Sequence, residues 1–285
     1  MEMDMALNAV NATPNVGSEL RINKADLLSG TYADEIAALL EARSVVFARG
    51  LEFSDEDLHT LAATLGDIRL DGKDGRKKDS LMKVTFDKKH SELTEYFWGT
   101  FTWHFDGAWE DVPPRASVLT PRVLAPTGGE TEFINTYAAY DALPDDRKRQ
   151  LDGLMTAHTM VETYRRIVDN PTEEQIRDWR GYGEKIHPLI WHHRSGLKSI
   201  ALSNSTEYVV SMDRAESDEL LKWLADWVEQ RRFVYTHVWQ MGDVLIWNNT
   251  GTMHRAAPYD VDSGRRLHRV TLQGVEPLAA EMAAA

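Results

Sequence analysis

The chain has 285 residues, 42% apolar and 27% charged, which is enough to bury a sizeable core in one elaborated soluble domain. Its net charge of -13 argues against nucleic-acid and acidic-membrane partners, which require a basic footprint. With no cysteine, disulfides, thiolate nucleophiles, Cys-bound zinc and iron–sulfur clusters are excluded, so any metal must sit on histidine, carboxylate or water.

The opening MEMDMALNAVNATPNVGS (1–18) is expected to be a disordered tail, and residues 19–285 a single domain. This opening has neither the basic n-region nor the apolar h-region of a signal peptide. No stretch approaches the roughly 18 apolar residues of a membrane span, so a cytoplasmic enzyme is the expectation. Ala33 to Arg43 reads as a helix and Ser44 to Ala48 as a buried strand. Ser54 opens a second helix: Asp55, Glu56 and Asp57 suit its positive end, Leu58, Leu61, Ala62 and Leu65 form one stripe, and Gly66 ends it. Asp71 to Asp79 is a polar loop.

From Trp98 to Asn135, short extended runs are broken by Pro113-Pro114, Pro121, Pro126 and Gly128-Gly129, the rhythm of a β-sandwich or barrel. A largely helical insertion is predicted at roughly 138–185, with strands returning at Pro188–Trp191 and Ser199–Ser203. An amphipathic helix then carries Leu220, Leu221, Leu224, Trp227 and Val228 on one face. The segments FVYTHVWQ, VLIWNN and RLHRVTLQG alternate as strands before an alanine-rich C-terminus. One mainly β core with helices (α+β) fits better than two domains.

In Phe101-Thr102-Trp103-His104-Phe105-Asp106, read as a strand end, His104 and Asp106 share a face and can chelate one ion. Alone, such a pair reads more readily as an ion pair or hydrogen bond. His254 adds a third donor just past the apolar strand at 244–249. Arg265 and Arg269, four apart on the returning strand, face one side and need anionic partners, either neighbouring carboxylates or bound organic acids. Two histidines and a carboxylate leave open positions on an octahedral metal, the pattern of non-haem Fe(II) oxygenases, although zinc can use the same donors. An arginine nearby suits the far carboxylate of a metal-chelating keto acid.

WHFD (103–106), PTGGETEF (126–133), NTYAAYDALP (135–144), GDVLIWNNTGTMHRA (242–256) and GRRLHRVTL (264–272), in this order, resemble the taurine/2,4-D dioxygenase (TauD/TfdA-like) family. The resemblance implies a double-stranded β-helix (jelly-roll, cupin-like) core with helical insertions. It implies His104, Asp106 and His254 as the facial triad for Fe(II), with 2-oxoglutarate and O2 as cosubstrates. It implies Arg265 and Thr131 as contacts of 2-oxoglutarate, Arg269 as a contact of an anionic substrate, and a homo-oligomer, dimer or tetramer. Because Asp106 keeps the acidic ligand that related halogenases lack, hydroxylation is expected over halogenation.

Tyr96, Phe97, Trp98, Phe101, Trp103, Phe105 and Trp109 crowd the first ligand pair. Phe105 should point away and pack, whereas Trp98 and Trp109 flank the pair and are expected to line an apolar substrate pocket. Where the taurine enzymes place polar contacts, this chain has Gly99-Thr100 and Ile68-Arg69-Leu70, favouring a larger, more hydrophobic substrate than taurine, with a carboxylate for Arg269. His192-His193 reads as a turn rather than a second metal site, and His187 and His237 as structural or as supports behind the metal ligands; His268 should face away from the two arginines. The leading expectation is a hydroxylase of a small hydrophobic acid. The alternatives are desaturation or ring formation on a terpenoid or polyketide, and a non-oxidative metal-binding cupin.

Overall fold

The computed structural model describes residues 7–70, 80–94 and 96–279; the loop read at Asp71 to Asp79 and the chain after 279 lie outside the described residues. Strands β1 (Ala9–Asn11) and β2 (Ser18–Leu20) come first, then helices α1 (Lys24–Leu28) and α2 (Ala33–Arg43). Strand β3 (Val45–Ala48), helix α3 (Asp55–Leu65) and strands β4 (Leu81–Val84), β5 (Ala116–Val123) and β6 (Thr131–Asn135) follow. Next are α4 (Thr136–Asp141), α5 (Asp145–Leu151), β7 (Met155–Thr159), α6 (Met160–Arg165), α7 (Glu173–Arg180) and β8 (Glu184–Pro188). Strands β9 (Ile190–His192), β10 (Lys198–Ile200) and β11 (Thr206–Val209) lead to α8 (Arg214–Val228). The chain closes with β12 (Val234–His237), β13 (Val244–Asn248), β14 (Thr252–Ala256) and β15 (Arg266–Thr271).

Local chemistry explains the helices flanking the core. Ser54 caps α3 reciprocally: its Oγ accepts the Asp57 N–H at 3.0 Å, and the Asp57 carboxylate accepts the Ser54 N–H at 2.8 Å. Both sequence-predicted helices in this region occur, and α2 has the predicted ends.

The main sheet runs β1-β2-β3-β13-β5-β15-β4, and a smaller sheet runs β12-β6-β14. Side chains alternate so that each face of the main sheet has its own core. Val45, Phe47, Leu119, Leu245, Trp247 and Leu267 meet Phe133 and Tyr235 of the smaller sheet. Val46, Ala48, Val118, Ile246 and Val270 point the other way, onto Ile36, Leu40, Leu58 and Leu61 of α2 and α3. With both faces covered, β13 reads as an apolar run, VLIW, closed by Asn248. The outer face of the smaller sheet, through Ile134 and Met253, packs on Leu189, Leu202, Leu220 and Leu224. This is the expected jelly-roll core with helices outside it. No helix among the described residues is long and apolar enough to cross a membrane.

Three expectations are corrected. Within the tail expected at 1–18, β1 and β2 pair antiparallel, and β2 joins β3 at the edge of the main sheet. The short polar spacing at 9–18 hid this, because the pairing partner lies some thirty residues on. The insertion is not simply helical, since β7, β8 and β11 form a three-stranded sheet. Met155–Thr159 is too short to show a period, and its pairing with Glu184–Pro188 is non-local. Finally, the segment just past β13 that holds His254 is itself a strand, β14, and His104 makes only an isolated bridge to it rather than ending a strand.

Candidate active site

That bridge brings the candidate metal donors together. The His104 N–H donates to the His254 carbonyl at 3.1 Å and the His254 N–H to the His104 carbonyl at 2.7 Å, so the two rings lie 4.2 Å apart between centroids. His104 Nδ1 donates to the Thr102 carbonyl at 2.8 Å, in the tautomer that leaves Nε2 a lone pair facing Asp106 Oδ1 at 3.9 Å. His254 Nε2 lies 3.7 Å from Asp106 Oδ2. One donor atom from each of the three residues lies within 4.8 Å of the others, and all three residues are buried.

Asp106 is aimed by its backbone. Asn249, between β13 and β14, accepts the Asp106 N–H at 2.9 Å and donates to the Asp106 and Pro114 carbonyls, both at 2.9 Å. Gly107 then turns the chain at φ 76, where a Cβ would come within 2.5 Å of the Pro114 ring. Sequence reasoning passed over Asn249, although a second asparagine ending an apolar strand is a visible signal.

The electrostatics keep this set ready for a cation. Burial pushes both histidines below their ordinary value, His254 furthest, so their lone pairs stay available at neutral pH. Burial opposes ionisation of Asp106, but the charge and hydrogen bond of Arg269 lead the effects that outweigh it and hold the carboxyl well below its usual range. Arg269 donates through Nη2 to Asp106 and, through Nε and Nη2, to Ser117 Oγ at 3.0 and 2.7 Å. Its guanidinium lies 4.8 Å over the Trp247 ring. Its first anionic partner is therefore the aspartate of the donor set, the neighbouring-carboxylate alternative of the sequence reading. Two neutral imidazoles and an ionised carboxylate are donors suited to Fe(II).

A cavity lined by all three donors also reaches Thr131, Tyr259 and Arg265. Arg265 is 4% exposed, yet no carboxylate lies within 4.0 Å of it among the described residues. It donates to the Gly129 carbonyl at 2.7 Å and lies 4.6 Å over Tyr259. Burial lowers its pKa, with Tyr259 opposing. A buried guanidinium without a carboxylate is costly alone and suits the anionic end of a guest. The Gly128-Gly129 pair makes room for it. A Cβ on Gly129 would lie 2.6 Å from Arg265 Nε, and one on Gly128 would lie 2.1 Å from the Pro258 carbonyl oxygen. Thr131 Oγ1 accepts the Trp239 indole N–H at 2.9 Å, which leaves its own O–H to donate.

The two tryptophans expected to share one pocket do not. Trp98 lies in a 3-10 helix (Tyr96–Phe101) whose tight turn swings it outward; it is 42% exposed, packs on Phe86 and Phe101, and is absent from the cavity wall. Trp109 instead lines a second recess with Met160, Tyr164 and Ile167, which also touches His104 and Asp106. Phe105 points away into a cluster with Ala108, Trp191, Ala201 and Leu278. His193 bonds Glu276 and Ser199, and His237 bonds Asp243, so both are structural. His268 faces away from the cavity onto Asp55.

The chain belongs to the taurine catabolism dioxygenase TauD, TfdA family, whose sequence model matches residues 9–271. It is an α-ketoglutarate-dependent dioxygenase, an enzyme that works with Fe(II), 2-oxoglutarate and O2. The alpha-ketoglutarate-dependent 2,4-dichlorophenoxyacetate dioxygenase of Cupriavidus pinatubonensis is 30% identical over 268 residues, covering 88% of this chain and 91% of that protein. The (S)-phenoxypropionate/alpha-ketoglutarate-dioxygenase of Sphingobium herbicidovorans is 27% identical over 261 residues, 89% of this chain and 90% of that one. The crystal structure of AAD-2 in complex with Mn(II) and N-oxalylglycine superposes with a TM-score of 0.79 at 26% identity, covering 96% of this chain and 100% of that one. This membership sets aside the non-oxidative cupin.

Proposed function

We propose that this dioxygenase hydroxylates a C–H of a small, largely hydrophobic organic acid of the aryloxyalkanoate type. The overall reaction takes R–H, O2 and 2-oxoglutarate to R–OH, succinate and CO2. In this reading His104, Asp106 and His254 hold the iron, and Arg265 with the Thr131 hydroxyl holds the distal carboxylate of 2-oxoglutarate. Bound there, the iron supplies the O2 chemistry. The chain's own residues fix its donors, seat the two organic acids and keep water from the reacting C–H.

The observation that carries this reading is one cavity joining the buried donor triad to a buried arginine with no carboxylate partner among the described residues. N-oxalylglycine, the ligand named for AAD-2, is 2-oxoglutarate with an NH in place of one CH2, which supports a keto acid at this position. Two relatives named for phenoxy acids support the substrate class. Of the two tryptophans, Trp109 stays in the proposal as part of an apolar recess beside the donors. Arg269 stays through Nη1, which makes no hydrogen bond among the described residues.

A panel of aryloxyalkanoic acids, taurine, alkyl sulfates and neutral terpenoid lactones tests this, scored by succinate formed with Fe(II) and 2-oxoglutarate. Aryloxyalkanoic acids should stimulate succinate most and release the phenol, because hydroxylation beside the ether oxygen gives a hemiacetal that collapses. Stimulation by neutral lactones alone would overturn the organic-acid assignment.

A further inference from the structure

The organic-acid reading leaves open what seats the substrate's anionic end. Arg269 has Nε and Nη2 engaged by Ser117 and Asp106, and Arg265 lies at the far, buried end of the cavity. Two more arginines line the same cavity nearer solvent, of which Arg255 is tied to Glu132 on β6 through Nε at 2.7 Å. Arg69 presents the paired edge of its guanidinium to Glu110, with Nη1 to Oε2 at 2.8 Å and Nη2 to Oε1 at 2.9 Å. Both side chains belong to the cavity wall, and Glu110 Oε1 lies 3.3 Å from where a Cβ on Gly107 would be, one residue past Asp106.

A planar, two-pronged contact of this kind is how arginine reads a carboxylate. We infer that Glu110 occupies, on Arg69, the seat of the substrate's carboxylate, and that substrate binding exchanges one carboxylate for the other. The inference rests on the organic-acid reading and deepens it.

The two partners are held unequally, and in the direction the exchange needs. Arg69 is tied to the main sheet through its N–H to the Thr271 carbonyl at 2.8 Å. Glu110 stands on the turn after Gly107, its N–H on the Gly107 carbonyl at 2.8 Å. Its side chain is 39% exposed against 22% for Arg69. A pair this open to water is weakly held, so releasing Glu110 to solvent costs little. While no acid is bound, the internal carboxylate keeps the arginine paired. A neutral molecule in the seat would replace the Glu110 carboxylate with an uncharged group, which builds discrimination against neutral analogues into the site.

The pair predicts opposite effects for its two members. With the best aryloxyalkanoic acid from the panel, Glu110→Gln removes the competing charge and should lower KM about threefold or more. Arg69→Gln removes the seat and should raise KM at least tenfold, with kcat changed less in both variants. Arg69→Lys keeps charge but not the fork; it should also raise KM, and serves if Arg69→Gln does not fold. With the methyl ester of the same acid, Glu110→Gln should leave KM within twofold. If Glu110→Gln and Arg69→Gln both raise KM for the acid, the pair is a structural tie and the exchange is wrong. If no organic acid is turned over by the unaltered enzyme while neutral compounds are, the organic-acid reading itself has failed.

Discussion

The inner end and the mouth of the cavity are built differently. At the inner end the functional groups are buried, and most are carried on or beside strands: Thr131 opens β6, His254 lies within β14, and Arg265 directly precedes β15, while Asp106 stands on a turn that Asn249 holds in place. Glycines with positive φ, Gly128 at 72 and Gly129 at 77, are fitted so closely that an added Cβ would press on the Pro258 carbonyl and on Arg265 respectively. At the mouth, Arg69 and Glu110 are partly exposed and meet across a turn. Groups on strands hold a fixed geometry, whereas groups on loops adapt. The contrast supports the proposal that the inner end seats 2-oxoglutarate while the pair at the mouth exchanges with the substrate.

The sharpest way to break this contrast is to remove a donor. Asp106→Ala should abolish Fe(II) binding and turnover, exceeding the roughly 10–100-fold loss typical of groups that only support a ligand. Fe(II) binding by equilibrium dialysis checks it; tight binding that survives would remove Asp106 from the donor set. Next in size, Arg265→Gln should raise the KM for 2-oxoglutarate about 30-fold or more, as losing one partner of a buried charged contact does. Fe(II) binding should stay largely intact. Loss of both would make Arg265 a structural residue.

A smaller effect separates fit from backbone strain. Gly129 and Gly153 have nearly the same φ, 77 and 80, but a Cβ on Gly153 meets nothing within 4 Å. Alanine at either position should destabilise the fold by about 1 kcal/mol or somewhat more, since both lose a glycine-favoured conformation. Only Gly129→Ala should also weaken 2-oxoglutarate binding, because its Cβ would press on Arg265. Equal KM values in thermally matched variants would refute the cradle. Smallest of all, Trp98→Ala should leave KM for the organic acid within about twofold, in line with ordinary surface substitutions, while Trp109→Ala raises it. A large effect at Trp98 would return it to the pocket.

Much of the inner end was legible from residue order. His104 and Asp106 two apart, a histidine beside the VLIWN strand, and an arginine after it are all local signals, and the capping residues of α3 are readable in the same way. The direction of His268 followed from strand alternation alone. What stayed hidden depends on partners far along the chain. Asn249 holds Asp106 across 143 residues, and Arg69 meets Glu110 across 41. Among the described residues strand β4 pairs only with β15, and β7 pairs with β8 and β11, both beyond α7, so neither short run declares itself. Trp98 was misplaced because a tight 3-10 turn, rather than a strand, sets its direction.

Anaerobic titration of the Fe(II)-loaded enzyme with 2-oxoglutarate bears most directly on the joined donor triad and buried arginine. A visible metal-to-ligand charge-transfer band should grow and saturate near one equivalent. Arg265→Gln should require far more 2-oxoglutarate to reach the same band, and Asp106→Ala should give none. If the unaltered protein binds neither Fe(II) nor 2-oxoglutarate and no band forms, the iron and keto-acid assignment of this cavity is wrong.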